Sequence, residues 1–338
     1  MKAALIKEFN KDFAIGEVDI PKIKDHEALV KVKASCLCAA DVKIREGRMP
    51  ALKLPHIPGH EIVGEVVEVG KTVKHLKPGD RVVAYMYTVC GDCHACRSGR
   101  ENLCVNIVRL GFERPGGHAE YISVPERQLL ILPDTISYEE GAAIPDAICT
   151  MLHAIRDTGE VKLNDHVVIL GAGGLGMQGI QIARLCGGRV IAVARSEQKL
   201  EVSKQLGAEW AFSGNDVKLV DRILEVTQGK GADVVIDLVS IQQTYQTSAT
   251  CLKKGGTYVL VGSGSPEITF MVGQVMFKEI AIKGSLGATK QTAIDAIDLV
   301  RKGLIKPFVT DRFPLDAINE AALRIKEGKI IGRSVIIP

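Results

Sequence analysis

The chain has 338 residues, 46% hydrophobic and 25% charged, with a formal net charge of +3. A length of this order suggests about two domains of ~150 residues each. A charge so near neutral argues against a dedicated nucleic-acid binder; the densest basic stretch, 71–81, is broken by Pro78-Gly79-Asp80 and reads as a solvated turn. No apolar run reaches the ~18 residues of a membrane helix, and Met1-Lys2-Ala3-Ala4-Leu5-Ile6 reads as a first strand rather than a secretory leader. The expectation is a cytoplasmic protein with no nucleic-acid and no membrane partner.

From residue 1 to about 135 the pattern is of short strands punctuated by Gly, Pro and Asp, at 28–35, 61–69 and 80–85. Period-two alternation in Ala28-Leu29-Val30-Lys31-Val32-Lys33 buries one face. Inside this half lies Cys90-x2-Cys93-x2-Cys96-x7-Cys104, four of the nine cysteines. In a reducing compartment such a cluster binds metal rather than forming disulfides, and four thiolates suit tetrahedral zinc with no open position, hence a structural ion. The competing readings are a redox CxxC pair and a metal-free loop.

Ser137 with Glu140 three residues on predicts a capping box and an apolar helix to about residue 156. Strands are then predicted at 167–170, 190–193, 234–236, 257–261 and 280–283. Helices are predicted near 175–187, 197–206, 216–228 and 241–253. This alternation implies parallel βαβ units. A helix near 290–302, a helix over 315–327 and a last strand at 333–337 look like a return to the first domain.

The first strand of that alternation runs into Gly171-Ala172-Gly173-Gly174-Leu175-Gly176 and then a helix, which is the context a dinucleotide turn requires. Gly171 permits the tight turn, Gly173 lets backbone amides approach a pyrophosphate, and Gly176 lets helix and strand pack closely, with Gly174 and Leu175 opening the helix on which the phosphates rest. The second strand ends Ala194-Arg195-Ser196. An acid there would hold the ribose 2′-hydroxyl of NAD(H); alanine with a following arginine and hydroxyl favours the 2′-phosphate of NADP(H). Glu197 would restore NAD(H) binding if the turn were shifted, and Ser196 has an alternative use as a helix cap.

A dispersed set completes the chemistry: Cys38, Gly59-His60-Glu61 and Asp146. A thiolate, an imidazole and a carboxylate make a reasonable three-ligand zinc set. With Gly59-His60-Glu61-x2-Gly64-x5-Gly70-x2-Val73, the four-cysteine lobe, the GAGGLG turn, Gly116-Gly117-His118-Ala119-Glu120-Tyr121 and Gly332-Arg333, the whole chain resembles the zinc-containing alcohol dehydrogenase group of the medium-chain dehydrogenase/reductase superfamily.

That resemblance implies an α/β fold: a β-rich GroES-like catalytic domain over 1–149 and 288–338, and a Rossmann doubly wound parallel sheet over 150–287. It implies two zinc ions per subunit, NADP(H) or NAD(H), an alcohol, ketone or aldehyde as substrate, and a homodimer or homotetramer. Cys38, His60 and Asp146 become the catalytic-zinc ligands, with Glu61 able to enter the coordination sphere and Asp41 orienting the histidine. Asp146 is preferred to Cys149, three residues later. Thr150 is expected at the nicotinamide and Arg333 at the cofactor pyrophosphate. Cys36, Cys186 and Cys251 are expected as small core residues, and Lys43, Leu52, Met86 and Leu286 as pocket lining. Zinc would polarise the substrate oxygen while hydride passes between cofactor and substrate carbon in a cleft between the domains.

The sequence departs from the family pattern in the proton path. Where the group carries Ser or Thr two residues after the ligand cysteine, and often His three further on, this chain has Ala40 and Lys43. A water can replace the hydroxyl, Lys43 can act as the acid, the reaction can dispense with the relay, or Lys43 can be a solvated helix residue. Two further classes stay open: NADPH-dependent reduction of a C=C bond activated by a carbonyl, and a non-catalytic NADPH-binding protein.

Overall fold

A computed structural model describes residues 1–48 and 52–338. Backbone contacts divide it into two compact units, Met1–Ala147 with Thr289–Pro338, and Ile148–Ala288.

The first unit is built on one long strand, Glu27–Leu37. Its alternation holds over 30–33 and not before: Ala28, Val30 and Val32 are buried, Lys31 is exposed and Lys33 pairs with Glu65 at 3.5 Å on the outer face, but Leu29 on that face is buried too. The buried side meets Ile62, Val66, Val82, Leu110, Ile122 and Val124 in one cluster. Each such burial contributes about 1.5–3 kcal/mol. Antiparallel ladders join this strand to Glu61–Val69, to Tyr121–Pro125 and, at its far end, to Arg333–Ile337. Two register pairs matter below. Cys36 stands opposite Glu61, and Leu37 opposite Ser334. The helix Ala39–Arg45 follows at once, with Val42 and Ile44 packed among Phe13, Leu37, Leu315 and Ile318.

The second unit carries a six-stranded, all-parallel sheet in the order Trp210–Ser213, Arg189–Ala194, His166–Leu170, Ala232–Asp237, Leu252–Leu260, Ala281–Gly284. Chain order reverses between the third and fourth of these, the switch point of a doubly wound sheet. The strand Trp210–Ser213 and the helix Val272–Lys278 have no counterpart in the sequence reading. The first is only four residues long and only half-buried, so it has no alternating pattern to detect.

The helix expected to run from the Ser137 cap to about residue 156 is broken into four pieces. The cap forms as predicted, Ser137 Oγ accepting the Glu140 N–H at 3.2 Å. After Tyr138–Ala142 the chain widens into a π-turn over Ile144–Ile148, returns to α over Cys149–Leu152 and widens again over His153–Thr158. Pro145 lacks an N–H and its ring crowds the preceding turn, which accounts for the first widening. Among the described residues no helix is long and apolar enough to cross a membrane.

Candidate metal centre and dinucleotide turn

In the first unit, Cys38 N-caps the short helix, His60 and Glu61 open their strand, and Asp146 sits in the π-turn. The strand register brings the first two segments together. Donor atoms of Cys38, His60, Glu61 and Asp146 all lie within 4.8 Å of one another. Cys38 Sγ is 3.9 Å from Asp146 Oδ2, and His60 Nε2 is 3.7 Å from the same oxygen and 3.8 Å from Glu61 Oε1. A tetrahedron with metal–ligand arms of about 2.0–2.3 Å has edges of roughly 3.3–3.8 Å, so this spacing fits zinc. Cys149 is not among the clustered donors.

Asp41 lies behind His60, fully buried. Its Oδ1 is 3.3 Å from His60 Nδ1 and accepts the Gly59 N–H at 3.1 Å; its Oδ2 accepts the Cys38 N–H at 2.8 Å. The contact at Nδ1 turns Nε2 toward the other donors. Burial alone would raise the Asp41 pKa, but His60 and His118 overcome it and hold the carboxyl far below its usual range. Burial opposes charge on His60 as well, and Asp41, Asp146 and Cys38 together reverse the sign and raise its pKa. Burial likewise works against the Cys38 thiolate, and Arg333 and His60 outweigh it and bring the thiol down. The thiolate, which this shift favours, is the form that ligates metal.

His118 received no role from sequence. It is fully buried, with Nδ1 2.8 Å from Ser35 Oγ and Nε2 3.6 Å from Asp41 Oδ2. Gly59 allows this approach: its φ is +102°, and a Cβ there would stand 2.8 Å from the His118 backbone nitrogen. The only available signal was a histidine inside the Gly116-Gly117-His118 motif.

Arg333 is 5% exposed, with Nη1 3.9 Å from Cys38 Sγ and Nη2 against Glu61 Oε1, contacts that its sequence position does not announce. The pairing of Arg333–Ile337 with Glu27–Leu37 carries it there, and the buried Glu61 carboxylate supplies the opposing charge.

Lys43 is half-buried rather than a solvated helix residue, and burial is the largest cause of its lowered pKa. Ala40 and Leu52, both partly buried, pack on the cluster around Phe13 and Leu37. Met86 is buried and Leu286 is exposed. Cys36 and Cys251 are fully buried as expected, with burial pushing their thiols up to about 11 and about 12. Cys186 departs from that expectation: it is only half-buried, at the C-cap of Gly174–Leu185, where the helix end meets solvent.

The four-cysteine lobe forms a second cluster, Cys90, Cys93, Cys96 and Cys104, with donor atoms again within 4.8 Å. Sγ of Cys90 is 3.9 Å from that of Cys96 and 3.5 Å from that of Cys104, too far for a disulfide, and all four cysteines are free. Backbone N–H groups of Cys90 and Asn106 donate to Cys104 Sγ, and that of Cys93 to Cys90 Sγ, each at 3.4 Å. Amides of Cys96 and Val105 pull the Cys93 thiol down to about 6. This donor set fits a closed zinc site.

In the second unit His166–Leu170 runs into Gly171, whose φ is +106°. A Cβ on Gly176 would stand 2.2 Å from the Gly171 carbonyl oxygen, and one on Gly173 would meet nothing within 4 Å. Close packing and an open approach are the two properties a pyrophosphate turn needs. Gly173 N-caps the helix that contains Gly174 and Leu175. Ala194 ends its strand; Arg195 and Ser196 follow, both exposed. Ser196 occupies the N-cap of Glu197–Gln205 but makes no side-chain capping bond. Lys199, one turn on, feels Arg195: burial first and then that charge lower its pKa, which adds a cation the sequence reading did not name. Thr150 is buried in Cys149–Leu152.

Residues 24–134 match the alcohol dehydrogenase GroES-like domain and residues 174–302 the zinc-binding dehydrogenase family. The chain is 36% identical to an alcohol dehydrogenase of Geobacillus stearothermophilus, covering 99% of this chain and 98% of that one. It is 31% identical to the acryloyl-coenzyme A reductase of Metallosphaera sedula over 99% of both. The crystal structure of an NAD-dependent alcohol dehydrogenase superposes with a TM-score of 0.95 at 32% identity over 100% of both chains.

The fold and its two clusters thus define a zinc-binding dehydrogenase with a GroES-like part and a Rossmann-type part. The chain belongs to the zinc-containing alcohol dehydrogenase group of the medium-chain dehydrogenase/reductase superfamily, and it is an oxidoreductase of that class.

Proposed function

We propose that the protein interconverts an alcohol and its ketone or aldehyde with NADP(H) as the hydride carrier, using one zinc ion at Cys38, His60 and Asp146 and a structural one at Cys90, Cys93, Cys96 and Cys104. The observation that carries this is the buried donor cluster with Asp41 behind its histidine. Bound zinc would supply Lewis-acid polarisation of the substrate oxygen, and the cofactor the hydride chemistry. The chain's own residues do the rest. Asp41 fixes the His60 tautomer through Nδ1. Arg333 offsets the buried Glu61 carboxylate. Arg195 and Ser196, with Lys199 nearby, offer charge and a hydroxyl to a 2′-phosphate, and Ala194 offers no acid to a 2′-hydroxyl. NAD(H) is the competing cofactor. Gly171 to Gly176 would hold the pyrophosphate of a bound cofactor, and Thr150 would pack at its nicotinamide.

Ala40 has no hydroxyl to move the substrate proton. Lys43, with its lowered pKa, exchanges that proton through water in this reading. The same missing hydroxyl favours a second reading, reduction of a carbonyl-activated C=C bond, which the similarity to an acryloyl-coenzyme A reductase also supports. For assembly, a homodimer or homotetramer accords with exposed Phe270, Met271, Val272, Met276 and Phe277 beside the edge strand Ala281–Gly284. The four-cysteine donor cluster accords with a reducing cytoplasm.

The test is zinc content together with turnover of a panel of secondary alcohols, ketones, aldehydes and enones with NADPH and NADH. Ketone or aldehyde reduction that is lost on metal removal and faster with NADPH supports the reading. Inert carbonyls alongside a reduced enone replace it with the second.

A further inference from the structure

One buried acid of the second unit has no part in the chemistry above. Asp237 ends the strand Ala232–Asp237 and is fully buried. Its Oδ1 accepts the backbone N–H of Val239 and of Ser240, both at 2.8 Å, and its Oδ2 accepts the Tyr258 hydroxyl at 2.7 Å. Tyr258 is 1% exposed on the neighbouring strand Leu252–Leu260. A single carboxylate therefore ties the turn 238–240 to the next strand. That turn is strained: Ser240 has φ +52°, a left-handed backbone unfavourable for a residue with a side chain.

The turn stands where the sheet order reverses, and open α/β sheets bind ligands outside the C-terminal strand ends at that reversal. Asp237 is opposite Leu170, the residue before Gly171. The Leu238 N–H donates to the Leu170 carbonyl at 3.0 Å. Val239 Cγ2 is 3.1 Å from where a Cβ on Gly171 would stand, and Leu238 Cδ1 is 3.3 Å from the corresponding point at Gly176. On its other side the turn receives the N–H groups of Gly264 and Ser265, at 3.0 Å on the carbonyls of Val239 and Ser240. The segment 238–240 is thus packed between the glycine turn and residues 264–265, and moving it moves both.

We propose that Asp237, locked by Tyr258, is a positioning residue for the nicotinamide cofactor: it holds the 238–240 turn as the wall against which the glycine turn takes its shape. This rests on the reading that the second unit binds the dinucleotide. Asp237 itself touches neither metal nor substrate; its effect falls on cofactor affinity.

The test is titration of the zinc-loaded full chain with NADPH and NADH by cofactor fluorescence. The variants are Asp237→Ala, Asp237→Asn and Tyr258→Phe, with circular dichroism, substrate KM and kcat at saturating cofactor measured alongside. Asp237→Ala strands two backbone donors and should weaken cofactor binding about tenfold or more, while kcat at saturation stays within about twofold. Asp237→Asn should recover most of the affinity, because its Oδ1 still accepts both N–H groups and its amide donates to the Tyr258 oxygen. Tyr258→Phe should fall between. Unchanged cofactor affinity in a folded Asp237→Ala overturns the proposal, as does a loss shared equally by kcat and substrate KM. If Asp237→Ala does not fold, Tyr258→Phe decides: a several-fold weaker Kd supports the proposal and an unchanged one overturns it. A wild-type chain that binds neither cofactor removes the parent reading instead, so the two failures are distinguishable.

Discussion

The substitution Asp41→Asn isolates what the buried carboxylate contributes to the metal centre. Both oxygens are committed: Oδ1 to the Gly59 N–H and His60 Nδ1, Oδ2 to the Cys38 N–H. An amide of the same shape has one acceptor. Whichever way it is turned, its NH2 faces a backbone N–H, leaving one buried donor unsatisfied at a cost of about 1–3 kcal/mol. If the oxygen stays with His60, the Cys38 amide is the orphan and the N-cap loosens at the ligand cysteine. If it stays with Cys38, His60 loses the acceptor that sets its tautomer. Either way the support behind a metal-bound histidine is damaged, which typically costs 10–100-fold in metal affinity. The assay is zinc per chain by mass spectrometry after timed dialysis against a chelator. The four-cysteine lobe does not involve Asp41 and acts as an internal control. The wild type should retain two zinc ions through a challenge that takes Asp41→Asn to one. If both proteins release zinc at the same rate and to the same end point, Asp41 does not support the centre and the argument fails.

Three further outcomes follow from other parts of the molecule. Ala40→Ser should raise kcat about tenfold or more if a hydroxyl relay is what the site lacks, and Lys43→Ala should lower it by a similar factor; an unchanged Lys43→Ala rate rules out the lysine as proton donor. Arg195→Ala should raise KM for NADPH about tenfold and leave KM for NADH nearly unchanged, as stopped assays with both cofactors would report; equal effects would contradict 2′-phosphate recognition. Glu27 is buried, which alone would raise its pKa, but the Lys24 amide at 3.0 Å and Arg114 at 2.9 Å outweigh that and hold it below the ordinary value. Its stabilisation is therefore full above the unfolded-state pKa of about 4.3 and is lost as pH falls through the lower folded value. Glu27→Gln should flatten the decline of Tm between about pH 4.5 and 3; an unchanged acid limb would show that the pair contributes nothing there.

The parts of this molecule that sequence makes legible are those where one local pattern carries one meaning. The four cysteines at short spacing, the glycine turn after an apolar strand and the period-two strand at 30–33 are of this kind. The Ser137–Glu140 cap is another, but the helix behind it is not, because Pro145 forces a change of helical pitch that periodicity alone does not encode. The dispersed metal donors could be grouped by ligand chemistry, but their roles came only from the family resemblance, since nothing local links Cys38 to Asp146. His118, Asp237 and the burial of Arg333 were out of reach for a related reason. Each depends on partners far away in the chain: Ser35 and Asp41 for the histidine, Tyr258 for the aspartate, Cys38 and Glu61 for the arginine. A residue's type shows what it can bond to, and only strand register shows what it meets.

The ladder that pairs Leu37 with Ser334 also sets an order of assembly. The candidate metal donors all come from the first 146 residues, so a growing chain holds them long before it holds Arg333. Until that arginine arrives, Glu61 is a buried carboxylate without its cation, and burying it is costly. Closing so distant a contact is also entropically slow compared with the local hairpins around it. The early centre is therefore expected to be the most loosely packed part of the first unit during synthesis. Arrival of the last strand would bring the counter-charge and make it permanent.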